Sequence, residues 1–200
     1  MIRRLGLFIL AIALSSPIGS GRVVAAGAAI TGSVQAGGAA TPNAVVFIQQ
    51  AQGTFPPTSA ATIDQRSMKF APAVLPVVVG TTVKFLNSDP TQHNVFTPDY
   101  EKYNLGTWPQ GQTKDHLFAK CAKPPCAYVQ LCRIHPEMEA YVVVLQNPFF
   151  ATTDQTGHFR IDNVPPGSYS LAVWAPKGHA PAKPITVEAA PVTVDFNLTR

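Results

Sequence analysis

Charge is scarce in this chain, and long apolar runs are missing from it. Of the 200 residues only 13% are Asp, Glu, Lys or Arg, with 15 basic side chains against 11 acidic ones. A protein that neutralises nucleic-acid phosphates needs a basic stripe. None is visible here, and nucleic acid is not an expected partner. A polybasic segment for an anionic membrane surface is lacking too. The longest apolar stretch, Leu5 to Leu14, holds ten residues, well short of the roughly 18 that a spanning helix needs. No window of about 12 residues keeps an uninterrupted apolar period of 3.6, and 19 prolines and 14 glycines are scattered through the chain. Helices should therefore be few and short. Methionine and cysteine are rare, three of each with the initiator counted, and an odd cysteine count leaves one thiol over.

What is present begins with a leader. Arg3 and Arg4, the apolar stretch after them, and Val24-Ala25-Ala26 have the layout of a secretory signal peptide spanning residues 1–26. Its removal takes Arg3, Arg4 and Arg22 away, so residues 27–200 keep 12 of the 15 basic residues against all 11 acidic ones, a formal +1. The leader carries no cysteine, which disfavours a lipid-anchored product. The expectation is a periplasmic or secreted protein with no membrane insertion in its mature form, whose three cysteines meet an oxidising compartment.

Short β-branched or alternating runs bounded by turn residues recur through the rest: Ala29–Val34, Ala44–Gln49, Val74–Val79, Thr82–Leu86, Ala127–Leu131, Ala140–Leu145, His158–Ile161, Ser168–Trp174, Pro184–Val187 and Val192–Leu198. Such runs predict an all-β protein of one or two sandwiches or barrels.

The segment richest in chemistry is Cys132-Arg133-Ile134-His135-Pro136-Glu137-Met138. It sets a thiolate, an imidazole and a thioether on one short loop between two strand-like runs. Soft thiolate and thioether donors with imidazole select copper, and a His2Cys set with a long axial Met is the type 1, blue-copper arrangement. The second imidazole can come from upstream, where Phe85–Asp89 ends a strand and a Pro90 turn places His93 at the tip of another loop. One of the two internal methionines falls at the right spacing, which makes coincidence a poor account of the set.

The stretch Ile63-Asp64-Gln65…Phe70-Ala71-Pro72…Val79 to Asp89…His93-Asn94-Val95, taken with Cys132, His135 and Met138, resembles the plastocyanin/amicyanin family of cupredoxins over roughly residues 60–147. The two-residue gap between His135 and Met138 is similar to amicyanin. The resemblance implies a Greek-key β-sandwich holding one Cu(I)/Cu(II) ion, with His93, Cys132 and His135 as equatorial ligands and Met138 as the axial one. It also implies that the edge of the His135 ring serves as the electron port, and that the redox partners are a periplasmic dehydrogenase and a c-type cytochrome.

Cys121 and Cys126 depart from the simple family pattern. In an exported protein the economical reading is a disulfide closing a short loop, worth on the order of 2 kcal/mol. The rival is a Cys3His zinc site built from Cys121, Cys126, Cys132 and His135, which would leave His93 and Met138 without a task. A binuclear copper centre needs two cysteines on the ligand loop, and Cys126 lies too far from Cys132.

The segment Thr153-Asp154-Gln155-Thr156-Gly157-His158-Phe159…Val164-Pro165-Pro166-Gly167-Ser168-Tyr169 is similar to carboxypeptidase-regulatory or transthyretin-like β-sandwich domains. Their usual opening strands find counterparts in Ile30–Val34 and Ala44–Ile48, which precede the copper segment. The division expected is residues 27–56 as the first strands of a smaller transthyretin-like sandwich, 57–148 as an inserted cupredoxin domain, and 149–200 as the remainder of the smaller sandwich. Two domains in tandem, or one enlarged sandwich, are the alternative.

No paired nucleophile and base, carboxylate dyad or open metal position is apparent, so an electron carrier is expected rather than an enzyme. The competing class is a metal-binding or structural module, in which copper is delivered or incidental and the transthyretin-like part mediates binding. His116, His158 and His179 are read as solvated, and Trp108 and Trp174 as packing residues. Tyr100, Tyr103 and Trp108 are candidates to border the copper face.

Overall fold

A computed structural model describes residues 27–199. The leader assigned to residues 1–26 lies outside the described residues.

Three strands come first in the chain: β1 (Ala28–Ala36), β2 (Ala39–Ala40) and β3 (Val45–Ile48). Nine follow: β4 (Thr62–Arg66), β5 (Lys69–Ala71), β6 (Val74–Val78), β7 (Thr81–Asn87), β8 (His93–Phe96), β9 (Asn104–Trp108), β10 (Thr113–Phe118), β11 (Cys126–Leu131) and β12 (Glu139–Leu145). The last six are β13 (Phe150–Thr152), β14 (His158–Val164), β15 (Gly167–Trp174), β16 (Lys183–Val187), β17 (Val192–Thr193) and β18 (Phe196–Leu198). The run expected over Val192–Leu198 is thus two strands, and both pair parallel with β1.

The middle nine strands make two sheets, β10-β7-β4-β5 and β6-β12-β11-β8-β9. Alternation closes them on each other: Val83 and Phe85 of β7 are buried while Thr82 and Lys84 are exposed. The core between them includes Ile63, Phe85, Trp108, Phe118, Tyr128 and Val142. The first three and last six strands share two other sheets, β13-β3-β15-β16 and one centred on β1 with β14, β17, β18 and β2 around it. Ile30, Val46, Ile48, Phe159, Leu171 and Phe196 fill the core of this second sandwich. Gly37 and Gly38, both at positive φ, form the two-residue turn between β1 and β2, a geometry that suits glycine and that side chains resist.

The sequences of β3 and β12 explain how the sandwiches meet. A strand buried on one face alternates in polarity, whereas one buried on both faces reads as an unbroken apolar run. Val45–Ile48 and Val142–Leu145 are such runs, and all eight residues are buried. Val46 and Ile48 fill the second core, and Val142 and Val144 fill the first. Val45 and Phe47 join Val143 and Leu145 in a cluster between the sandwiches. Full burial of each such side chain contributes about 1.5–3 kcal/mol. Trp174 extends the seam by packing on Tyr141, with ring centroids 5.1 Å apart.

The chain passes between the sandwiches at two neighbouring places, and side-chain amides stitch them together. Gln146 Oε1 accepts from the Ala51 N–H at 3.0 Å, and its Nε2 donates to the Ala51 carbonyl at 3.2 Å. Asn147, 1% exposed, donates to the Ile48 carbonyl at 2.8 Å and accepts from the Phe149 N–H at 3.0 Å. These bonds satisfy backbone groups that leave the sheet ladders at the crossing.

Candidate metal centre

The ends of β8 and β11 and the loop into β12 meet at one end of the first sandwich. Cys132 follows β11 directly. β11 touches β8 at Leu131 opposite Phe96, which brings the buried Cys132 sulfur within 3.4 Å of the Asn94 N–H that donates to it. Asn94 holds this corner in three further ways. Its Nδ2 donates to Asn104 Oδ1 at 2.8 Å and to the Gly106 carbonyl at 2.7 Å, and its Oδ1 accepts from the Arg133 N–H at 3.4 Å.

His93 is wholly buried. The loop-tip position expected for it is corrected: it opens strand β8, paired with Trp108. The reason lies in the tight winding of residues 87–92. Asn87 Nδ2 donates to the Thr91 and Trp108 carbonyls at 2.8 and 3.0 Å, and its Oδ1 accepts from the Asp89 N–H at 3.0 Å. The turn is finished by Thr91, and the strand begins at His93.

The donor atoms converge. His93 Nδ1 lies 2.9 Å from His135 Nδ1, which lies 3.8 Å from Cys132 Sγ. The ligand atoms of the three residues all fall within 4.8 Å of one another. Met138 is 1% exposed and shares the buried cluster of Cys132, and its N–H donates to the His135 carbonyl at 3.0 Å to close the loop. His135 is only partly buried, and its neighbour Ile134 is 47% exposed. Two ring nitrogens and a thiol facing one another, with a thioether in the same cluster, form a donor set suited to copper.

Behind His93 stands a carboxylate that the sequence reading did not single out. Asp89, buried, accepts through Oδ2 from His93 Nε2 at 2.9 Å and from the Met68 N–H at 2.9 Å. Its Oδ1 accepts from the Ser67 N–H at 2.6 Å. Burial opposes the charge on Asp89, yet the Met68 and Ser67 amides and the His93 ring hold its pKa below the usual carboxylate range. Asn94 was likewise not singled out. The signal for Asp89 was its place four residues before His93 in a turn too polar to need burial for its own sake.

Cys121 and Cys126 are joined in a disulfide, which removes two of the four donors of the zinc alternative. Cys132 is the free cysteine among the described residues. The other residues sort differently. His158 and His179 are exposed as expected. His116 is not solvated: it lies half-buried on β10, stacked on Tyr103 at 3.7 Å, with Nε2 3.6 Å from Glu101 Oε2. The cause is the sandwich rim, where β10 and β9 are edge strands of the two sheets and the Tyr103 ring covers His116. Trp108 is buried in the first core and Trp174 packs in the seam. Tyr100 and Tyr103 do not border the ligand end, since they lie past the Phe96 end of β8, beside Tyr128 and His116.

Residues 136–199 match the family model of the carboxypeptidase regulatory-like domain. That match begins inside the ligand loop and includes β12, which pairs with the first sandwich, and it leaves out β1–β3, which pair with the second. Among solved structures the chain is similar to the copper-containing nitrite reductase from Thermus scotoductus SA-01, at 28% identity and TM-score 0.38, over 48% of this chain and 23% of that one. It is similar to a purple cupredoxin from Nitrosopumilus maritimus at 25% identity and TM-score 0.37, over 42% of this chain and 98% of that one. A reduced Cu(I) form of an amicyanin mutant at pH 4 is matched at 26% identity and TM-score 0.38, over 48% of this chain and 86% of that one. The chain thus spans about a quarter of the length of the nitrite reductase. No curated protein sequence matches it. The protein is all-β, and residues 136–199 are similar to the carboxypeptidase regulatory-like domain.

Proposed function

We propose that this is an exported type 1 copper protein that carries single electrons between periplasmic redox partners, such as a dehydrogenase and a c-type cytochrome. The observation that carries the reading is the convergence of His93 Nδ1, His135 Nδ1 and Cys132 Sγ within 4.8 Å at one end of a β-sandwich. His93, Cys132 and His135 would hold the ion, with Met138 as the weak fourth ligand. Copper bound there supplies a one-electron couple.

The protein's own part is to keep the donors still. Rapid exchange requires that they hardly move when the charge changes, and side chains locked by packing and hydrogen bonds meet that demand. Cys132 and His93 issue from strand ends, and Asn94 ties the Cys132 loop to β8 and β9. Pro136 restricts the backbone beside His135. The Asn94 N–H on the thiolate tempers its donor strength. Three strong donors and a thioether leave no open position for a substrate, which favours a carrier over an enzyme. His135, the partly exposed ligand, is the port through which a docked partner would exchange electrons. The cupredoxin-like sandwich is read as inserted in the second one, because the chain leaves the sheet of β3 and returns to it at β13 and β15.

The test is reversible reduction in the presence of a competing copper(I) chelator. An electron carrier cycles repeatedly with its copper retained. Loss of copper to the chelator on the first reduction would instead favour a delivery protein.

A further inference from the structure

The carboxylate of Asp89 is held by more bonds than a stabilising hydrogen bond requires. Ser67 and Met68 are the two turn residues of the β4–β5 hairpin, and both stand at positive φ, 56° and 58°. Side chains resist that conformation, and here it aims two successive N–H groups at Asp89. Asn87 fixes the Asp89 backbone from the other side. With both oxygens so held, Oδ2 sits 2.9 Å from His93 Nε2. Its other neighbours are backbone amides, and no lysine or arginine pairs with it among the described ion pairs.

We propose that Asp89 is the positioning residue of the metal centre. Its anchored carboxylate accepts a hydrogen bond from the Nε2–H of His93, leaves the Nδ1 lone pair facing His135 and Cys132, and makes the ring a stronger donor that favours copper(II) over copper(I). A neutral imidazole carries one proton, and the hydrogen bond at one nitrogen decides which nitrogen is free for a metal. A carboxylate at the far nitrogen fixes the ring and raises its basicity, and loss of such a partner typically costs 10–100-fold in metal affinity. The hairpin turn thereby becomes part of the centre although it touches no ligand atom.

The tautomer part is independent of the copper reading, and the potential part rests on it. Nitrogen-15 NMR of the histidine rings in the copper-free protein should show His93 protonated at Nε2, and Asp89→Ala should remove that preference. A proton on Nδ1 in the wild type, or an Asp89→Ala spectrum unchanged from it, would overturn the proposal whether or not copper binds. In the copper-loaded protein, Asp89→Asn keeps the size and two acceptor lone pairs while removing the charge. It should retain the visible thiolate band, bind copper(II) about 10–100-fold more weakly and show a raised reduction potential. An unchanged potential with the band intact would contradict the electronic role, and absence of the band in the wild type would instead bring down the copper reading.

Discussion

Two regions of the first sandwich each hold a histidine against a carboxylate, and the difference between them shows what marks out a candidate metal centre. At the ligand end, His93 meets Asp89 through Nε2, and its Nδ1 looks onto a second ring nitrogen and a thiol. At the rim between β9 and β10, His116 faces Glu101 at 3.6 Å and stacks on Tyr103, while Tyr128 donates to the Lys120 carbonyl at 2.6 Å and lies 3.2 Å from Glu101. Tyr103 hydrogen-bonds Gln130, and burial raises the pKa of both tyrosine hydroxyls. Among the described residues no second nitrogen or sulfur joins His116 in a metal-binding cluster. One region aims two ring nitrogens and a sulfur at a common point, and the other spends its polar groups on sealing an edge.

The largest contrast is all or none. Cys132→Ser should abolish the visible thiolate-to-copper band, whereas His116→Ala should leave its position and intensity unchanged. A band that survives the first change, or fails with the second, would erase the distinction between the regions. Next comes Asn94→Ala, which strips the Gly106 carbonyl and Arg133 N–H of their partner. Chemical unfolding should register a loss of about 1–3 kcal/mol, together with a shifted band, because this bond network borders the thiolate. Met138→Leu nearly conserves volume and should cost less than about 1.5 kcal/mol. It should also raise the reduction potential, since removing a donor disfavours the more highly charged copper state; an unmoved potential would remove Met138 from the ligand set.

The smallest effect belongs to the rim. Burial, set against the pull of Glu101, holds the His116 pKa below the ordinary histidine value. The unfolded chain then binds more protons than the folded one as pH falls below about 6.5. Thermal stability should therefore decline between pH 7 and 5 by a share that His116→Phe removes, while the band of the loaded protein is untouched by the substitution. An identical pH slope in both proteins would show that the ring does not titrate as its surroundings dictate.

Much of this architecture was legible because burial on two faces writes an unambiguous pattern. The β-branched runs that hold Val45–Ile48 and Val142–Leu145 read as strands, and Cys132, His135 and Met138 declare themselves by spacing. The short strands β4, β5, β8, β9 and β10 were harder to see. Asn104–Trp108 and Thr113–Phe118 bury one residue each, Trp108 and Phe118, too few to show a period. The partners of the ligands were hidden for another reason. Asn94 and the Ser67–Met68 turn act through backbone amides and carbonyls brought together by the fold, and such bonds leave no mark in residue type or spacing; Asp89 shows only as an acid four residues before His93. His116 was misplaced on the same ground: only the closure of the rim turns a polar residue on an edge strand into a packing one.

The proposed electron carrier requires His93, Cys132 and His135 to grip one ion. Electron paramagnetic resonance of the copper(II)-loaded protein, prepared with nitrogen-15 histidine, tests that most directly. One copper per chain with a narrow copper hyperfine splitting, coupling from two imidazole nitrogens, and collapse to an ordinary wide splitting in Cys132→Ser is the predicted result. A wide splitting in the wild type, indifferent to the loss of Cys132, would contradict it.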